Sequence, residues 1–190
     1  MRTFLQLILF AGPVAGYLAA FAAASDGSMR GHFTGARGAA FALFAGYVIA
    51  LALITIAPPP LSPSNGAFGV NLVPLVNSVR CFVPVPGQPP TAHFCIHTIA
   101  GNVGMFIPFG LMAPFIAPRL GSAKAIFVAA VATSAGIETI QAAGQLIGSP
   151  RWADIDDVIF NVAGAMIGYL LIRVVQTRRG DATKTEEPLT

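Results

Sequence analysis

The chain has 190 residues, a formal charge of +3, only 10% charged residues and a mean hydropathy of +0.71. A soluble domain carries about 25% charged residues, so this one lacks the polar surface to cover itself in water and is expected to be an all-α integral membrane protein. The small positive charge then reads as loop topology, and with no basic patch interleaved with aromatics a nucleic-acid partner is excluded.

Five apolar runs, each close to the about 20 residues needed to cross a bilayer, predict about five transmembrane helices. The first, Phe4–Ala24, resembles a secretory signal, with Arg2 before it and Ala22, Ala23, Ala24 and Ser25 after it. Charge argues against cleavage. With the N-terminus outside, the inner side holds Arg30, Arg37, Arg119, Lys124, Arg173, Arg178, Arg179 and Lys184, against Arg2, Arg80 and Arg151 outside. A cleaved signal reverses that partition, so the expected orientation is N-out/C-in. The second run, Ala39–Ala57, completes an N-terminal pair of helices over 1–57.

A long loop follows, 58–97, Pro-rich at both ends (Pro58 to Gly69 and Pro84–Pro90). Its middle piece, Val70–Val79, is too short for its periodicity to separate an interfacial from a re-entrant segment. Cys81 and Cys95 lie in this external loop, where a disulfide and two free thiols are both open. His93 and His97 flank Cys95, but His-x-Cys-x-His fits no closed structural zinc pattern, so no metal site and no cofactor is expected.

Runs three to five, Thr98–Pro118, Ala123–Ile147 and Val158–Val175, form a three-helix core over 98–177. A polar tail, 178–190, is expected to be disordered on the cytoplasmic side. The fourth run carries Glu138, Gln141 and Gln145 on one helix side. A carboxylate near mid-bilayer costs roughly 2.5–3.5 kcal/mol, so that side should face protein or water. Glu138 lies about 14 Å below the end of its run at 1.5 Å per residue.

In alternating spans, the start of the third, the end of the fourth and the start of the fifth share one membrane face. Those places hold Asn102, Glu138, Gln141, Arg151, Asp154, Asp156, Asp157 and Asn161, the residues expected to line a polar pocket. Asp154 or Asp157 would equally serve as a helix cap. Asn102 and Asn161 would serve as interhelical hydrogen-bond partners, Trp152 as an interfacial anchor, and Asp156 as a partner for Arg151 or for headgroups. Gly101, Gly104, Gly110, Gly164, Gly168 and the kink at Pro108 are expected to allow close helix packing.

The segment Gly101-Asn102 to Pro108-Phe109-Gly110, then Glu138-x-x-Gln141, then Arg151-x-x-Asp154-x-Asp156-Asp157-x-x-x-Asn161-x-x-Gly164-x-x-x-Gly168 resembles the VanZ-like family of bacterial membrane proteins. Asn71-Leu72-Val73-Pro74 is similar to its Asn-x-x-Pro element, and the likeness covers about Asn71 to Leu171. The resemblance implies a multi-pass protein of the bacterial cytoplasmic (inner) membrane. It also implies an envelope context, through a founding member linked to teicoplanin resistance, but no settled reaction.

Three functions compete. The first is a non-catalytic protein whose pocket, open to the outer leaflet, binds a lipid or glycopeptide headgroup. Arg151 would hold a phosphate or carboxylate there, and the aspartates an amine. The second is a membrane-embedded, metal-assisted hydrolase or transferase acting on a lipid-linked substrate; it lacks an activated nucleophile, since Ser149 has no evident base and no span holds a His. The third is a scaffold whose polar cluster serves helix–helix specificity alone. No catalytic residue is assigned, and the expected partners are the bilayer and an envelope amphiphile.

Overall fold

The computed structural model describes residues 36–56, 69–83, 92–146 and 152–185. Helix α1 (Ala36–Thr55) is followed by a two-residue strand β1 (Val70–Asn71) and a short helix α2 (Val76–Arg80). Then come α3 (Ala92–Ile116), a 3-10 turn (Pro118–Leu120), α4 (Ala123–Gln145), strand β2 (Ala153–Asp154) and α5 (Ile155–Thr185).

The chain is an all-α membrane architecture. Stretches long and apolar enough to cross a bilayer are Cys95–Ile116, Ala123–Gln145 and Ile155–Arg178, while the apolar part of α1, Ala40–Thr55, is shorter. The described residues therefore hold three full spans and one shorter apolar helix. The first expected run, Phe4–Ala24, lies outside them.

Two boundaries differ from expectation. Helix α3 starts at Ala92, six residues before the apolar run at Thr98, and Cys95 in its first turns is disulfide-bonded to Cys81 just beyond the end of α2 (Cα–Cα 6.0 Å). Helix α5 runs on to Thr185, so the first part of the tail expected to be disordered is helical. No proline interrupts the chain before Pro188, and a helix already nucleated extends readily through Ala, Lys and Arg.

Local chemistry sets the helix starts. Ser122 accepts the Ala125 amide at 3.2 Å and caps α4. Asp154 accepts the Asp156 amide at 3.0 Å and caps α5. Inside α3, Pro108 and Pro114 leave the carbonyls four residues back without their helical donor, which a membrane helix tolerates where neighbours help. The Tyr47 hydroxyl reaches this region from α1, donating to the Met105 carbonyl at 2.8 Å.

The core lies between α1, α3, α4 and α5. Phe44, Tyr47, Phe106 and Phe109 form its aromatic part, with ring centroids 5.9–6.3 Å apart. Helices α3 and α5 make the most extensive pairing, and glycines permit it. A Cβ on Gly110 would run into the Ala165 carbonyl, one on Gly164 into the Val103 carbonyl, and one on Gly168 into the Ile107 carbonyl. Gly101 and Gly104, expected on the same packing face, are not part of it. Among the described residues they sit on the exposed side of α3, and a Cβ at either would meet none of those residues within 4 Å.

Gly164→Ala should therefore force α3 and α5 apart and destabilise the protein by about 1–3 kcal/mol, the usual range for overpacking. Gly101→Ala should be neutral or add up to about 1 kcal/mol through helix propensity. Thermal melts of both variants in one detergent check the contrast; equal melting temperatures would refute the close-packing role.

Candidate functional site

The end of α1, the segment 69–83, the start of α3, the end of α4 and the start of α5 meet at one end of the bundle. The junction is built from backbone that no helix can satisfy. Strand β1 pairs with β2 in parallel, Val70 with Ala153 and Asn71 with Asp154. Two residues of strand leave most backbone groups around them unpaired, and side chains take over.

Gln145 pairs both backbone groups of Gly69, accepting its N–H at 2.9 Å and donating to its carbonyl at 3.0 Å. The Trp152 ring lies over Gly69 so closely that any Cβ there would enter it, although the ring remains 58% exposed as an interfacial residue would be. One turn and more below, the Glu138 carboxylate accepts the Asp154 amide at 2.7 Å. The acid of α4 is buried against β2, not turned outward.

The aspartates divide their work. Asp154 accepts from the Asn71 and Asn77 side-chain amides, both at 2.8 Å. Asp156, 3% exposed, accepts the Leu75 amide, the Ser78 amide at 3.2 Å and the Ser78 hydroxyl at 2.6 Å. It thus caps α2 from another element; the expected partner Arg151 lies outside the described residues. The Asp156 oxygens meet the free amides of a helix start whose own residue, Leu75, has no capping side chain. Leu75 holds φ 62, a left-handed conformation costing a branched residue about 1–2 kcal/mol. The Asp156 contact offsets that strain.

Deeper in the bundle, Asn102 donates to the Asp157 carboxylate across α3 and α5. Asn161 donates to the Ser134 hydroxyl at 2.9 Å across α5 and α4, and its buried carbonyl oxygen has no partner among the described residues. Gln141 donates to the Thr55 carbonyl at 2.8 Å, taking one of the acceptors left open at the end of α1.

Of the expected pocket residues, Glu138, Asp154 and Asp156 share one hydrogen-bonded group with segment 69–83, while Asn102–Asp157, Asn161–Ser134 and Gln141–Thr55 are separate pairs near it; Arg151 lies outside the described residues. Asp154 stands on β2, at the cap position of α5. Glu138 meets Asp154 through the Asp154 amide, and Asp157 stands three residues further along the chain, in the first turn of α5. Among the described residues no Lys or Arg pairs with them, and no three His, Cys, Asp or Glu side chains are grouped to hold a metal ion. Gly69, Asn77, Ser78, Thr55 and Ser134 belong to the cluster without having been singled out from sequence. Only the neighbouring Asn71-x-x-Pro74 element hinted at that part of the chain.

Beside the cluster runs an apolar groove of about 160 Å³ between α1 and α4. Its walls are Tyr47, Leu51, Ala52, Phe109, Ile137 and Ile140, with Gly136 and Thr133 in its α4 side. No acid of the cluster lines it. Its end is marked by Ile56 and Ile140, next in sequence to the bonded pair Thr55 and Gln141.

Asp156→Ala should leave three donors on the segment 69–83 without their acceptor, at about 1–3 kcal/mol for the buried groups. Amide hydrogen exchange should rise selectively at Leu75 and Ser78, while Asp156→Asn retains part of the protection. Unchanged exchange in the alanine variant would rule out the capping role.

No curated protein and no solved structure matches the chain significantly. A family model described as VanZ/LLP1 matches residues 44–176, a span that begins in α1, contains the cluster and ends within α5. The chain belongs to the VanZ/LLP1 family of membrane proteins.

Proposed function

We propose that this protein binds a membrane amphiphile without transforming it. One hydrocarbon chain lies in the groove between α1 and α4, and the headgroup sits at the Gln141–Thr55 end, beside the acids. The observation that carries this is the groove itself: an apolar trough that ends where the polar cluster begins. At about 160 Å³ it is smaller than the about 300–1,000 Å³ of pockets for drug-sized ligands, so it suits a single alkyl segment and not a whole glycopeptide. The acids at that end favour a headgroup bearing an amine or other donors. Both oxygens of Asp154 and of Asp156 are occupied in holding backbone and amide groups, which supports binding over turnover.

The proposed setting is the bacterial cytoplasmic membrane, with the cluster toward the outer leaflet. Support comes from the basic residues, which an N-out/C-in arrangement places mainly inside. Exposed Leu72, Val73, Val79, Phe82 and Val83 around α2 suit a segment seated in the lipid interface. A purely structural role for the cluster is the second reading, favoured by how fully its polar groups satisfy one another.

Native mass spectrometry of the detergent-extracted protein decides between them. Wild type should retain a lipid, and Gly136→Leu should lose it, since Gly136 lines the groove and has free space for a side chain. Gly46→Leu, with equal free space outside the groove, should retain it. Glu138→Gln should shift which headgroup classes are retained. A wild type carrying no lipid, or equal retention by Gly136→Leu, would favour the structural role.

A further inference from the structure

The first turns of α3 carry two exposed histidines that the polar cluster does not use. His93 and His97 are four residues apart, so their rings project from successive turns of one face. Their Nε2 atoms are hydrogen-bonded to each other at 3.1 Å, with ring centroids at 4.3 Å and planes at 68°, so a cation would displace the shared proton. Two imidazoles bound to one cation at about 2.0–2.1 Å, with the metal angle between square and tetrahedral, place their nitrogens about 2.9–3.3 Å apart. The pair already has that separation.

Its surroundings favour an open site. Cys95, between the two, is buried and disulfide-bonded, so it offers no thiolate and instead ties this turn of α3 to the segment after α2. With no third acidic, Cys or His side chain grouped with the pair among the described residues, water would complete the shell. Nitrogen donors without carboxylates select against Mg²⁺ and Ca²⁺, which want oxygen. They favour the late divalent transition metals, with Cu²⁺ highest in the affinity order.

We infer that His93 and His97 form a solvent-exposed two-histidine chelate for a late divalent transition-metal ion, Cu²⁺ foremost, at the head of α3. The site is separate from the groove and does not depend on an amphiphile being bound.

The test is Cu²⁺ titration of the full chain, free of any affinity tag, in detergent, read by calorimetry and by electron paramagnetic resonance. Wild type should bind one Cu²⁺ with the signature of two imidazole nitrogens. His93→Ala or His97→Ala should weaken binding at least about tenfold, because the second ligand no longer acts intramolecularly. The double variant His97→Ala/Thr98→His keeps the number of histidines but swings the second ring about 140° from the first at 3.6 residues per turn, and should be equally weak. His32→Ala should bind as wild type does. Circular dichroism and melting temperature confirm that each variant is folded. Equal Cu²⁺ affinity in wild type and in the Thr98→His double variant would overturn the site, as would a wild type that binds no tighter than the variant lacking both rings.

Discussion

The hydrogen bond from the Asp154 amide to the Glu138 carboxylate joins the two features on which this end of the molecule depends. One is a helix whose polar residues cannot face lipid. The other is a pair of irregular segments whose backbone cannot satisfy itself. In hydrocarbon an unsatisfied amide or carbonyl costs several kcal/mol, so non-helical backbone near membrane depth survives only where protein supplies partners. Gln145 does this for Gly69, Asp156 for Leu75 and Ser78, and Gln141 for Thr55. A carboxylate and two amides on one helix face thus turn a costly stripe into the anchor of a folded cap.

Below the cap the same economy of partners sets helix register. Glycines on α3 and α5 bring backbones together, and Asn102 with Asp157 and Asn161 with Ser134 bridge the helices around that contact. A slide of α5 by one turn would break the polar pairs and drive side chains into carbonyls together. Dispersion and these few bonds hold such helices, because lipid removes the hydrophobic drive between them. Helix α1 is attached differently, through Phe44, Val48 and Leu51 and through the bonds at Tyr47 and Gln141. It leaves a trough against α4 that neither helix fills.

Structure and function are therefore interleaved at this end. The residues that resemble a catalytic constellation in one dimension are largely engaged in supporting backbone in three. What the described helices leave unfilled is the apolar trough between α1 and α4.

Composition alone decided that the chain is a membrane protein, since too few charged residues exist to make a soluble surface. The spacing of Glu138, Gln141 and Gln145 decided that one side of α4 faces inward, and alternation of spans decided which helix ends share a face. Gly164 and Gly168 were legible as a packing face because four residues is one turn; Gly101 fitted the same rule but meets no neighbour among the described residues, because spacing cannot say which side of α3 faces α5. The partners of the cap were not legible. Gly69, Asn71, Asn77 and Ser78 lie 76 to 83 residues from the side chains that bind them, and no local period connects such pairs. Asp156 illustrates the limit most plainly: sequence marks it as an acid near a helix start, and only the packing of the returning loop decides that the helix it caps is another one.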